Sequence, residues 1–213
     1  LYLHNWLIFV MKNVITLDEK SLGDILNICN LKVRIPKKPK SKGDILFSNK
    51  KKADQKWTRV EMPDGLNQET ASKFRGFINQ EFDRRINGVW FMSNGVPTYI
   101  TGEHYYYLNW CKLDIGYPEY RDRDRRFFIF WEACKKDSNC FGMVMVKHRR
   151  EGASYKGASM LLHEITSRYN SHGGIISKTG VDAKSLFTDK LVYMFRHLPF
   201  FFQPIIDGSD NPK

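Results

Sequence analysis

VMVKHRREGAS, residues 144–154, is the stretch on which the fold turns. An apolar, β-branched run ends at Lys147, His148, Arg149 and Arg150 follow, and Glu151 leads into Gly152-Ala153-Ser154. This is the pattern of a strand running into a phosphate-binding loop. In the common form, G-x-x-x-x-G-K-[ST], backbone N–H groups curl around an anion and the following helix N-terminus adds partial positive charge. The lysine holds the outer phosphates and the Ser/Thr hydroxyl sits on Mg²⁺. With Gly152 as the second glycine, Ser154 takes the Mg²⁺ position, Lys147 the first glycine and Ala153 the place of the lysine. Three cations (Lys147, Arg149 and Arg150) stand on the N-terminal side instead. A cation reaching in from there neutralises the same phosphate charge, because position matters and backbone origin does not. The plainer alternative is a solvated basic turn in which Gly152 eases the bend.

The flanks extend the pattern. FGMVMVK (141–147) has the length and β-branching of a buried strand, and GGIISK (173–178) reads as a second one. Between them, SYKGASMLLHEITSRYN (154–170) places Ala158, Leu161, Leu162, Ile165 and Tyr169 on one helical face. A further helix follows with Phe187, Leu191, Met194, Phe195 and Leu198 in register and Pro199 near its end; Thr179 and Asp182 are spaced for a capping box at its start. Strand, helix, strand is a βαβ unit, which demands parallel strands and a right-handed crossover. The expected class is therefore α/β.

Upstream, residues 12–30 read as a short helix with Leu22, Ile25 and Leu26 on one face. Residues 31–69 carry Pro36, Pro39, Pro63 and lysine runs, and read as a basic, irregular, mobile or extended arm. From about residue 70, Phe74, Phe77, Ile78 and Phe82 recur at helical spacing, as do Phe127, Phe130, Trp131 and Cys134. NGVWFMSNGVPTYITG (87–102) has two Asn-Gly pairs around a β-prone core and predicts a hairpin. EHYYYLNWC (103–111) fits a short helix or a strand equally.

The formal charge is +11 over 213 residues, with 42% hydrophobic residues, the balance of a globular chain. Residues 31–59 hold eleven Lys/Arg against Asp44 and Asp54, so +9 of the +11 lies there. A local basic excess of this size fits a polyanion partner, nucleic acid first, or else a linker kept soluble by lysines. Four cysteines (Cys29, Cys111, Cys134 and Cys140) include no CxxC pair and no zinc-like spacing with histidines, which fits a reduced, cytosolic compartment. LYLHNWLIFV at the start lacks a basic leader and is too short to span a bilayer, so no membrane role is expected. Met11 is the expected true start, and both ends read as those of a fragment.

Three blocks, ITGEHYYYLNWCKLDIGYPEYRDRDRRFFIFWEACKK, CFGMVMVKHRREGASYKGAS and IISKTGVDAKSLFTDKLVYMFRHLPFFFQP, together resemble the large subunit of tailed-bacteriophage terminases, over roughly residues 86–206. That family is the ATP-driven motor that packages double-stranded DNA. Its Walker A loop carries the phosphate lysine early and keeps the Gly-x-Ser/Thr end, and Lys147, Arg150, Gly152 and Ser154 match that form. The resemblance implies an incomplete RecA/ASCE-like P-loop NTPase sheet over residues 70–213, with the Walker A βαβ unit at 141–198, behind a basic region at 1–69. It implies ATP and Mg²⁺ as cofactors, with Lys147 and Arg150 catalytic and residues Lys147, His148, Arg149, Arg150, Glu151, Gly152, Ala153, Ser154 and Tyr155 around the nucleotide. Ser154 would be the metal ligand. Thr101, Gly102, His104 and Tyr105 fall in the family's adenine-side segment, with an aromatic packing cluster as the alternative. Implied partners are double-stranded DNA, the phage portal, a small terminase subunit and further copies in a motor ring, in the host-cell cytoplasm.

A terminase continues with an acidic Walker B strand, a coupling motif and a C-terminal Mg²⁺-dependent nuclease, and none follows within these 213 residues. Asp182 and Asp189 read as surface or cap residues, and Asp122 and Asp124 as a salt-bridged helix start. The chain as it stands is expected to show little ATPase and no nuclease activity. Two other functions fit the residues: another P-loop DNA translocase or helicase, and a non-enzymatic basic nucleic-acid-binding module.

Overall fold

Asn94 and Gly95 take positive φ, 49° and 84°, and close a two-residue turn between strands over Val89–Ser93 and Val96–Ile100. Two left-handed residues in succession match the twist of the strands they join, which is why Asn-Gly marks a hairpin. Gly88 (φ 77°) precedes the first of these strands, and a Cβ there would run into the Ile100 carbonyl oxygen. The computed structural model describes residues 22–28, 31–168 and 171–204. In chain order its elements are β1 (Leu22–Ile28), β2 (Leu31–Pro36), α1 (Arg75–Asn87), β3 (Val89–Ser93), β4 (Val96–Ile100), α2 (Gly102–Trp110), α3 (Asp122–Lys136), α4 (Ala153–Ser167), α5 (Gly180–Ser185) and α6 (Tyr193–Arg196). Tyr169, Cys29 and residues 1–21, including Met11, lie outside the described residues.

The described residues divide into two compact units, those up to residue 57 with 87–104 and 120–147 forming one, and 58–86, 105–119 and those from 148 onward the other. In the first unit the basic segment is folded onto the β3–β4 hairpin. Ile35 and Ile45 are buried with Trp90 and Tyr99, and Leu46 bridges Phe91, its N–H donating to the Trp90 carbonyl at 2.9 Å while its carbonyl accepts from Met92 N–H at 2.8 Å. Three apolar side chains in a lysine-rich run are enough to anchor it.

Residues 22–28 form a strand, where the spacing of Leu22, Ile25 and Leu26 predicted a helix. β1 pairs antiparallel with β2, Ile25 opposite Arg34 and Ile28 opposite Leu31. A short apolar run fits both periods, and the ladder offered by LKVRIP decides between them. α3 starts at Asp122, whose carboxylate meets Arg126 Nε at 3.0 Å, and its Arg125 Nε donates to the Tyr99 carbonyl at 2.7 Å. Lys135 reaches the buried Glu103 carboxylate at 2.7 Å.

The second unit is helical. The face of α1 set by Phe74, Phe77 and Ile78 continues into Glu81 and Arg85, both buried, while Phe82 and Ile86 are 38% and 51% exposed. α4 buries Ala158, Met160 and Leu162 together with Lys156, His163 and Glu164. Thr179 caps α5, its hydroxyl oxygen accepting from Asp182 N–H at 3.1 Å. The helix widens into π-type turns over Leu186–Val192 and ends in α6, with Leu191, Met194 and Leu198 buried.

The parallel βαβ unit is not seen among the described residues. Residues 141–147 and 173–178 join no ladder, and both sheets are two-stranded and antiparallel. Val144 and Val146 are 95% and 97% exposed. A parallel strand is held by hydrogen-bonded neighbours along its edges, and among the described residues these segments have none.

Candidate nucleotide-phosphate site

The site begins with the backbone. Gly152 is left-handed (φ 71°, ψ 15°) and stands at the N-cap of α4, its carbonyl accepting from Tyr155 and Lys156 N–H, both at 3.1 Å. Glycine has no side chain with which to cap, so no side-chain cap hydrogen bond closes the first turn of α4. Arg150 is also left-handed, at φ 68°, a conformation that costs a non-glycine residue on the order of 1 kcal/mol. Left-handed residues thus stand on either side of Glu151, and backbone turns that include left-handed residues are where anion-binding N–H concavities form. α4 is 15 residues long, so its dipole adds partial positive charge at the same end.

The side chains follow from that frame. Ser154 is exposed on the first turn of α4. Tyr155 beside it is held away, its hydroxyl donating to Asp114 Oδ1 and its ring lying 3.7 Å from Lys190 Nζ. His148, Arg149 and Arg150 are exposed along the loop. Lys147, directly before them, is the last residue of the first unit and is exposed too. Glu151 is the only acid from 147 to 154, leaving a formal +2 across that run from Lys147, Arg149 and Arg150. What this arrangement can do chemically is hold a phosphate group through amides, guanidinium and a hydroxyl able to ligate a metal.

The four adenine-side residues stand around the start of α2. Thr101 accepts from His104 N–H at 3.3 Å at the start of α2, whose first residue is Gly102. The His104 ring is stacked on Phe128, with centroids 4.8 Å apart, and on Tyr120 at 5.9 Å. Tyr105 is fully buried and its hydroxyl donates to Glu81 Oε2 at 2.6 Å. Both rings are buried. Tyr105 also belongs to the second unit, whereas Thr101, Gly102 and His104 belong to the first.

The most constrained polar groups were not marked by any motif. Glu81 accepts from Tyr105, from Trp110 Nε1 at 2.9 Å and from Arg84 Nη1 at 2.5 Å. One helical turn on, Arg85 Nη2 donates to the His163 carbonyl at 2.9 Å and to Thr166 Oγ1, and its guanidinium lies 4.5 Å from the Tyr106 ring and 4.8 Å from that of Phe202. Burial lowers the pKa of Arg85 from its ordinary value, opposed chiefly by Tyr106. Only the i, i+4 spacing of Glu81 and Arg85 hinted that they share a face. Comparison with known proteins finds no matching family model, no curated protein and no solved structure.

Proposed function

We propose that this chain binds ATP with Mg²⁺ at residues 147–154 and is the N-terminal part of the ATPase domain of a terminase large subunit, the motor that drives double-stranded DNA into a phage capsid. The observation that carries the nucleotide half is the pair of left-handed residues, Arg150 and Gly152, set directly before the uncapped N-terminus of α4. Arg150 and Lys147 contact phosphate oxygens, the loop amides cradle them, and the Ser154 hydroxyl ligates Mg²⁺. The DNA-packaging half rests on the resemblance of the three sequence blocks, and it brings the portal, the small subunit and further copies as partners in the host cytoplasm. No described helix is long and apolar enough to cross a membrane.

Titration of the chain with a fluorescent ATP analogue, with and without Mg²⁺, tests this reading. Lys147→Ala and Arg150→Ala should each weaken binding about tenfold, the scale of one charge-assisted hydrogen bond. Ser154→Ala should remove the enhancement by Mg²⁺. Unchanged affinity in all three variants refutes the site. A Lys147→Ala variant that loses ATP and duplex DNA equally points to a general polyanion surface instead.

A further inference from the structure

We propose that the lysine-rich face of the first unit, residues 37–56, is a docking surface for the phosphodiester backbone of double-stranded DNA that works without nucleotide. It gives the DNA partner of the preceding reading a place on this chain but needs nothing from the 147–154 loop, so the two proposals fail separately.

Charge comes first. Lys37, Lys38, Lys40, Lys42, Lys50, Lys51, Lys52 and Lys56 are all exposed, against Asp44 and Asp54, which leaves +6 over twenty residues. Duplex DNA presents about one negative charge per 1.7 Å of axis, and lysines that meet it release condensed counterions. A flexible lysine arm would reach the same phosphates but forfeit much of the gain in ordering its backbone.

This segment is ordered before any partner arrives. Ile35 and Ile45 anchor it in the core, Leu46 is bridged to Phe91, and Asn94 N–H donates to the Gln55 carbonyl at 3.3 Å. Short 3₁₀ turns at Lys42–Asp44 and Lys52–Asp54 and a turn from Phe47 to Lys50 fold the two lysine groups onto one small scaffold. The stem of Lys52 lies against the hairpin turn, its Cε 3.0 Å from where a Gly95 Cβ would stand.

The aromatic residues choose between duplex and single strand. Single-strand binders stack bases on open ring faces. Here Phe47, Trp57 and Phe91 pack edge to face on one another, with centroids 5.2–6.3 Å apart, and Lys50 Nζ sits 5.0 Å from the Phe47 ring. With the rings committed to one another, the surface offers charge at fixed positions and no stacking platform, which suits a duplex backbone.

The test is fluorescence anisotropy with the whole chain, a labelled DNA duplex of about 20 bp and no nucleotide, from about 50 to about 300 mM KCl. Two triple variants, Lys50/Lys51/Lys52→Gln and Lys37/Lys38/Lys40→Gln, should each weaken binding at least tenfold. Each should also reduce the log–log salt slope by roughly 2–3, about one for every phosphate that a lysine no longer neutralises. A charge-matched control, Lys136/Lys178/Lys184→Gln, removes three exposed lysines elsewhere and should leave the slope nearly unchanged. The proposal is overturned if the control weakens binding as much as the two triples, if neither triple changes the slope, or if a single strand of equal length binds more tightly than the duplex.

Discussion

At the scale of single residues, the second unit depends on a carboxylate that no sequence motif marks. Glu81 is fully buried and is the common acceptor for Tyr105, Trp110 and Arg84. Glu81→Leu fills the volume but leaves a buried hydroxyl and a buried indole N–H without an acceptor, which should cost about 3 kcal/mol in urea unfolding. Glu81→Gln keeps one acceptor and should lose about half as much. A Leu variant as stable as the parent would show that these donors find other partners. The left-handed Arg150 is the opposite case: nothing in the identity of an arginine requests positive φ, so the curl of the candidate phosphate loop was legible only at Gly152.

At the scale of elements, local rules performed best where neighbours in the chain carry the information. The β3–β4 hairpin follows from Asn94-Gly95, and the start of α5 from Thr179 and Asp182. α1 shows the limit of periodicity. Its helical spacing is right, but its inward stripe runs through Glu81 and Arg85, leaving Phe82 and Ile86 at the surface. The segment at 141–147 shows a second limit, for its composition is that of a core strand while Val144 and Val146 stand in solvent. Replacing both with Ser should therefore change stability by less than about 0.5 kcal/mol, against the roughly 1–3 kcal/mol expected for a packed strand. A chemical-denaturation curve for the double variant reads this directly, and a large loss would mean that the segment is covered in solution.

At the scale of the whole molecule, both units carry tyrosines whose phenols are held neutral by burial. Tyr99 in one unit, and Tyr105 and Tyr106 in the other, are pushed well above their ordinary value, and Tyr120 is pushed up to about 12. A folded pKa raised in this way favours the native state fully below the unfolded value near 10 and loses that contribution as the pH climbs past it. The urea midpoint should thus fall between about pH 9 and about pH 11, with these four of the chain's ten phenols ionising only as it unfolds. Ionisation of all ten phenols while the protein remains folded would contradict the burial of these rings.

The amino-acid sequence by itself determined the elements whose signals are local: the Asn-Gly hairpin, the helical character of α1, α3 and α4, the Thr179 cap and the glycine ahead of α4. These depend on φ angles and on a 3.6-residue period, both properties of consecutive residues. Only the tertiary structure decided that Ile35 and Ile45 bring a lysine-rich segment down onto the hairpin, that residues 22–28 pair as a strand, that His104 and Tyr105 are buried, and that FGMVMVK lies outside any ladder. Burial and strand pairing join residues far apart in the chain, so the same local pattern has more than one partner available, and the packing chooses among them.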